Sequence, residues 1–329
     1  MVEILNIFLG NIQRGTKQVF GNLTIIPLYS KQESSLEYVT LKDALQKNFL
    51  SVAEINEGGS VPELAVVNDG NVFVLLLDGE ELRGAKQNRV LNASILVEPN
   101  SKTVVPVSCT EQGRWAYNSA NFEDSGVVMA SFARSKKMAS VSRNLKESRS
   151  YRSNQGEVWD EVAVLSEKLS AHSPTGAMRD AFESRKEQLD AYQASFPLQE
   201  GQQGMLVLLG GKVAGLDILS KPEAYAELHT KLVQSYAIDA LTIDKPVAEF
   251  DAEEMAFDFL AEAAHAETEV FESAGYGQDI RIDGKLLHGT CLIADEAVIH
   301  LALFRKEDEN KSAEVEPMAS WSRRRRYHH

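Results

Sequence analysis

The feature that most constrains this chain is a succession of short apolar runs cut by Asp-Gly and Gly-Gly pairs. "LAVV", Asn68-Asp69-Gly70, "NVFVLLL", Asp78-Gly79 and "EELRGA" follow one another, and "GMLVLLGGKVAGLDIL" later sets Gly210-Gly211 between two apolar stretches. Such pairs supply the positive φ angles that a tight hairpin turn demands. Further runs of strand length are "NLTIIPLY" (22–29), "SILV", "TVVPVSC", "TEVFES", "DIRIDGKLL" and "GTCLIADEAVIHLALF". Meanders of this kind argue against a doubly wound parallel sheet.

Helical signals interrupt the strands. Thr40 opens "LKDALQKNFL". The segment "EVWDEVAVLSEKLSAH" (157–172) puts Val158, Val162 and Leu165 on one face, and Ser173-Pro174 then provides an N-cap and a first helical residue for a second helix reaching Pro197. Ser220-Lys-Pro-Glu223 reads as a capping box before "EAYAELHTKLVQSYAIDAL", and Asp251-Ala-Glu-Glu254 caps a helix that ends near His265. Residues 118–152 show little periodicity and read as a long loop with partial helix. The expected fold class is α+β, with largely antiparallel, hairpin-built sheets packed against several helices. One globular domain is expected over 1–305, β-rich to 117, helical over 118–197 and mixed over 198–305. The charged, aperiodic residues 306–329 are expected to be a disordered tail. A weak internal echo links Asp78-Gly-Glu-Glu-Leu-Arg-Gly84 to Asp283-Gly-Lys-Leu-Leu-His-Gly289, both read as hairpins.

Composition narrows the partners. The net charge of −14 disfavours nucleic acid, and only Arg134, Lys136, Lys137, Arg143, Lys146, Arg149 and Arg152 form a stretch basic enough to contact it. The simpler reading is that this stretch and the acidic run Glu249–Glu272 are neutralised or solvated. Two cysteines make no disulfide framework, the N-terminus lacks a signal-peptide pattern, and no run is long enough to span a membrane. A cytoplasmic protein without membrane partners is expected. The oligomeric state is not legible.

The densest polar block, "GEELRGAKQNRVLN", lies among apolar strands and resumes as Cys109-Thr-Glu-Gln-Gly-Arg-Trp115. If the flanking strands are neighbours, the two parts converge. Lys86, Arg89 and Arg114 then offer donors for phosphate or carboxylate. Gln87, Asn88, Asn92 and Gln112 offer paired donors and acceptors for sugar hydroxyls or a base edge. Trp115 and Tyr117 offer rings for stacking, and Glu81 and Glu111 are candidate acids and bases, with Glu80 beside them. The competing structural reading is a buried ion-pair network of Glu81 or Glu111 with Arg89 or Arg114.

These same stretches, "GEELRGAKQNRVLNASILV" and "VPVSCTEQGRWAY", with the later "GMLVLLGGKVAGLDIL", resemble the ARPP domain family of bacteria over most of residues 20–305. The family is named for association with ADP-ribosylglycohydrolases and rhodanese-phosphatase proteins. The resemblance implies a setting in ADP-ribose or NAD metabolism and carries no activity with it. Together, pocket chemistry and resemblance suggest binding and hydrolysis of a phosphorylated, nucleotide-derived or ADP-ribose-like small molecule. The alternative is a non-catalytic module that senses such a ligand or serves a partner protein. No cofactor is expected, since Walker, Gly-x-Gly-x-x-Gly and Gly-x-Ser-x-Gly patterns are missing. Glu262-Ala-Ala-His265 has the spacing of a di-iron helix but no second copy, so no metal is expected either. Cys109, Cys291 and His300 read as buried strand residues.

Overall fold

The computed structural model describes residues 1–32, 34–56, 60, 62–117, 119–243 and 250–306. Residues 307–329 and part of the acidic run lie outside these, so of the expected tail only Lys306 is among them. The protein is α+β. A nine-stranded sheet follows the order Gln13–Arg14, Leu23–Tyr29, Gly204–Leu209, Lys212–Leu219, Ala297–Arg305, Leu287–Ala294, Gln278–Asp283 and Glu267–Glu272, with Gln18–Phe20 also on Leu23–Tyr29. Every pairing in it is antiparallel. Its central strands are apolar on both sides. Met205, Val207 and Leu209 face one core, while Leu206 and Leu208 face another. The first core is covered by the helices Gln155–Lys168, Met178–Ser184, Lys186–Ser195 and Pro222–Ala240, and the second by Val2–Asn11 and Ala252–Ala264.

A six-stranded sheet, ordered Phe122–Val128, Glu80–Gly84, Arg89–Leu91, Ser101–Cys109, Glu63–Asn68 and Leu50–Glu54, packs on a small sheet of Ile95–Val97, Phe73–Leu76 and Tyr38–Thr40. The small sheet contains the parallel pair Tyr38–Thr40 with Phe73–Leu76. Its own strands alternate between cores, Val74 and Leu76 inward to the six-stranded sheet and Leu75 and Leu77 toward the first core.

Several expectations need correction. Gly210-Gly211 and Asp283-Gly284 do close hairpins. Asn68-Asp69-Gly70 and Asp78-Gly79 do not, because the strands on either side of each belong to different sheets. Turn chemistry fixes the local φ but not the partner of the next strand. The echo of Asp78–Gly84 in Asp283–Gly289 is therefore no repeat of a hairpin. Residues 118–152 are not a long loop. They contain the strand Phe122–Val128 and an 18-residue helix, Ser131–Ser148. Its helical period is masked in the sequence because Arg134, Lys137 and Ser140 share its buried side with Met138, Val141 and Leu145.

The helix Val2–Asn11 lies outside the expected elements, and its Leu5, Phe8 and Leu9 keep helical spacing. Ser220 does not cap Pro222–Ala240. Lys221 holds the cap position, and Ser220 hydrogen-bonds Tyr38 at 2.8 Å instead. Ser173 precedes its helix by a turn, accepting from Ala177 N–H at 2.7 Å, and the segment breaks at Arg185 into two helices. Thr40 and Asp251 cap as expected. The inner face of Ala252–Ala264 is Ala252, Ala256, Phe259 and Ala263, whereas Phe257 is exposed.

Beneath the helix Ser131–Ser148 lies a fully buried ionic cluster. Arg134 donates from Nε to Asp78 (2.9 Å) and from Nη1 and Nη2 to Asp217 (3.0 and 2.7 Å). Lys137 donates to Asp78 and to Leu91 O (2.8 Å). Tyr236 Oη and His300 Nε2 also reach Asp217, at 3.1 and 3.2 Å, and Ser94 joins His300 Nδ1 at 2.8 Å. Burial pushes the Asp78 and Asp217 carboxyls up, but the adjacent cations push them down further, and both end below the usual range. Gly79 has φ +81°, and a Cβ there would lie 2.9 Å from Arg134 Cδ, so both backbone and space require glycine. Arg134→Met removes the cation that two buried carboxylates share, leaving Asp78 with Lys137 alone and Asp217 with Tyr236 and His300, and is expected to lower unfolding stability by ~3–5 kcal/mol. Urea denaturation reads this, and a loss below ~1 kcal/mol would show that the cluster does not hold the layers together.

Candidate functional site

The two polar blocks do converge. Strand Arg89–Leu91 pairs with both Glu80–Gly84 and Ser101–Cys109, in registers that oppose Leu82 to Arg89 and Arg89 to Cys109. The tight connection through Ala85, at φ +39°, returns the chain so that Asn88 meets Glu111. A bridge between Glu111 and Ala177 then brings up the segment before helix Met178–Ser184, with Gly113 N–H donating to Thr175 O at 2.7 Å and Met178 N–H to Thr110 O at 2.9 Å.

Between these parts lies an open cleft of ≈ 560 Å³, a size within the usual range for small-molecule sites. Of the expected residues, Asn88, Glu111 and Arg114 line it. Glu111 is the centre of its wall. Its Oε2 accepts from Arg114 Nη2 (2.6 Å) and Asn88 N–H (3.2 Å), and its Oε1 accepts from the Thr175 hydroxyl (2.9 Å). Arg114 also donates to Ala85 O (2.8 Å), Ala116 O (3.0 Å) and Asn88 Oδ1 (3.2 Å). The Glu111–Arg114 ion pair is the structural reading raised from the sequence, found inside a cleft.

The remaining lining includes groups that sequence reasoning missed. Arg83 and Glu123 face each other across paired strands at 3.0 Å. Arg179 donates to Glu183 (2.7 Å) and to Ser125 O, and Asp180 accepts from Ser173. Nothing local marks Thr175, Arg179 or Asp180, because only the tertiary bridge at Ala177 delivers them.

The other expected residues sit elsewhere. Gln87 is spent on the wall, donating to Glu111 O (2.8 Å) and accepting from Arg89 (3.1 Å) and the Cys109 thiol (3.0 Å). Asn92 donates to Tyr151 O (3.0 Å) and accepts from Ser108 (2.6 Å). Arg89 is wholly buried and faces Glu54 at 3.9 Å. Lys86, nearly buried, holds its ammonium over the rings of Trp115 (5.2 Å) and Tyr117 (4.9 Å). Gln112, Trp115 and Tyr117 are exposed. Glu80 pairs with Lys231 at 2.8 Å and accepts from Leu77 N–H at 2.8 Å. Cys109, Cys291 and His300 are buried in strands, as expected.

The family model ARPP-1, described as the ARG and Rhodanese-Phosphatase-superfamily-associated Protein domain, matches residues 11–304. The chain belongs to this family. No curated protein and no solved structure matched it. The ARPP-1 description carries an association with ADP-ribosylglycohydrolase and rhodanese-phosphatase systems, and the match takes in strands of all three sheets and the whole cleft wall.

Within this ARPP-1 chain the two candidate acids are driven apart. Burial raises the Glu111 carboxyl, but the bonds from Arg114, Thr175 and Asn88 outweigh it and hold the group below its ordinary value. Glu81 is wholly buried behind the wall, bonded to the Thr110 hydroxyl at 2.8 Å. Burial pushes it to about 7, only partly offset by hydrogen bonds. Burial also pushes the Cys109 thiol up, despite Arg89, as suits a strand residue of the core. Glu262 accepts from Leu286 N–H at 2.5 Å, and among the described residues no group of three or more His, Cys, Asp or Glu is placed to hold a metal ion. Among them too, no helix is long and apolar enough to cross a membrane.

Glu81 sets a pH signature. Its folded pKa lies above its unfolded one, so its contribution is complete below pH ~4.5 and is lost as pH rises through about 7. The difference in urea stability between the wild type and Glu81→Gln should change by up to ~3 kcal/mol across that window. A pH-independent difference would mean that Glu81 is not held neutral.

Proposed function

We propose that the cleft binds a phosphorylated small molecule of the ADP-ribose class. The observation that carries this reading is the meeting of three guanidinium groups, Arg83, Arg114 and Arg179, on one cleft of ≈ 560 Å³. Arginine forks suit phosphate oxygens, and the carboxylates Glu123 and Asp180 on the same cleft suit ribose hydroxyls. The association written into the family's description supports the same ligand class. Arg114 is a fixed part of the wall, so the adaptable donors are Arg83 and Arg179. Of the ligand contacts expected from the sequence, Asn88 and Arg114 line the cleft, and Arg83 and Arg179 join them. Lys86, Gln87, Arg89, Asn92, Gln112 and Trp115 support the wall or lie outside the cleft.

A hydrolytic reading is favoured by the opposite ionisation of Glu111 and Glu81. Glu111, ionised, takes a proton from the attacking water, and Glu81, protonated near neutrality, is the source of a proton for the leaving oxygen. Glu81 does not line the cleft and neither does Thr110, whose hydroxyl donates to it, so the proton reaches the leaving oxygen only if this segment opens to the cleft. Binding without turnover is the demand that the geometry meets as it stands.

Calorimetry with ADP-ribose and NAD separates the readings. Binding should weaken by ~10-fold in Arg83→Ala, whose side chain is half exposed and can be removed without disturbing the core. Undiminished binding in that variant would remove the cleft from the account. If product appears, Glu111→Gln should abolish it while ligand still binds. Ligand bound with no product in the wild type makes the protein a sensing module.

A further inference from the structure

A second cavity, of ≈ 190 Å³, lies between the C-terminal half of helix Ser131–Ser148 and the strands Gln278–Asp283 and Leu287–Ala294. Arg143, Lys146, Arg281 and Lys306 line it, with Asp283 as the carboxylate among them. In a chain of net charge −14 this is a local reversal of sign. Asp283 does not cancel it. The one carboxylate is shared by Lys146 (3.2 Å) and Lys306 (2.6 Å).

Arg281 makes the cavity a built site. It is 2% exposed, is fixed to Asp279 through Nη2 at 2.5 Å and reaches Ser142 Oγ through Nη1 at 3.5 Å, its guanidinium lying over the Tyr151 ring (5.5 Å) while Nε is buried without a partner. A buried guanidinium held in this way forms a fixed cationic floor to the cavity. Asp279 is itself occupied, since the Thr290 hydroxyl donates to its other oxygen. His288, also lining the cavity, is kept neutral by burial and adds no charge. The volume falls below the ~300–1,000 Å³ of nucleotide-sized or drug-sized sites. It suits one tetrahedral oxyanion.

We propose that this cavity is an anion site for a single phosphate group, held by Arg281 from beneath and by Arg143, Lys146 and Lys306 at the rim. The phosphate is either the free ion or the terminal group of a small phosphomonoester. The site is separate from the cleft between Arg83 and Arg179, and the inference does not depend on the reading of that cleft. Arg143 and Lys146 are free to turn toward such a guest, because their present partners, Glu157 and Asp283, are surface contacts of the kind that contribute little.

The test is calorimetric titration of the full-length protein with inorganic phosphate and with glycerol 3-phosphate, at constant ionic strength with chloride as the control. A saturable phosphate site that persists in Arg83→Ala protein, where the cleft is disabled, is expected, and charge reversal in Arg143→Glu/Lys146→Glu in that background should weaken it by ~10-fold or more. Both replaced side chains are well exposed, and an unchanged circular dichroism melt certifies the fold. Tighter binding of the ester identifies a metabolite as the source, and equal binding identifies the free ion. Phosphate that binds no better than chloride, or binding that survives the double variant, would overturn the proposal.

Discussion

Arg134 is the constraint on which the rest of the structure depends. One guanidinium, fully buried, joins Asp78 at the exit of the small sheet to Asp217 in the nine-stranded sheet, from a helix that belongs to neither. Isolated, each of these charges would cost several kcal/mol to desolvate. Together they satisfy one another only if helix and both sheets occupy one relative position. Lys231 repeats the device nearby, tying helix Pro222–Ala240 to Glu80 and Asp124 at 2.8 and 2.7 Å. The apolar cores supply the driving force for collapse, but they tolerate sliding. The ionic contacts do not, and they set the register between layers on which the cleft wall rests.

The same interaction explains what could be read from the sequence and what could not. Periodicity exposes an element when its buried face is apolar, as at Val158, Val162 and Leu165, or at Gly204–Leu209. Helix Ser131–Ser148 buries Arg134 and Lys137 instead, so its pattern looked like that of a polar loop. Hairpins were legible where a turn joins strands that need each other, as at Gly210-Gly211. At Asp78-Gly79 the same turn chemistry serves a different end. It lets the chain leave one sheet, pass under Arg134 and enter another.

For the site, convergence was legible because two polar blocks at the ends of adjacent strands must approach when those strands pair. Donor availability was not. Gln87 and Asn92 carry the right groups for a ligand, yet their hydrogen-bonding capacity is taken by Glu111 O, Cys109, Arg89, Tyr151 and Ser108. A sharp turn buried among strands has many backbone groups to satisfy, and side-chain amides satisfy them. Polar density in a buried loop therefore measures the needs of the loop before it measures those of a guest. The opposite wall, from Thr175 to Asp180, arrives through a single bridge at Ala177 and has no signature in its own stretch.

Charge placement along Ser131–Ser148 completes this logic. The basic run of the sequence is not a uniformly solvated face. Its first half turns inward, Arg134 and Lys137 into the ionic cluster. Its second half turns outward, Arg143 to Glu157 and Lys146 to Asp283. A helix is stiff over this length, so pinning Arg134 in the core also fixes where Arg143 and Lys146 stand against the edge strands. The rim cations of the small cavity are thus held in place by interactions one to three turns away. Such an arrangement presents positive charge at a defined spot without asking the surrounding acidic surface to reorganise, which is the physical requirement for selective recognition of a small anion by a protein of strongly negative net charge.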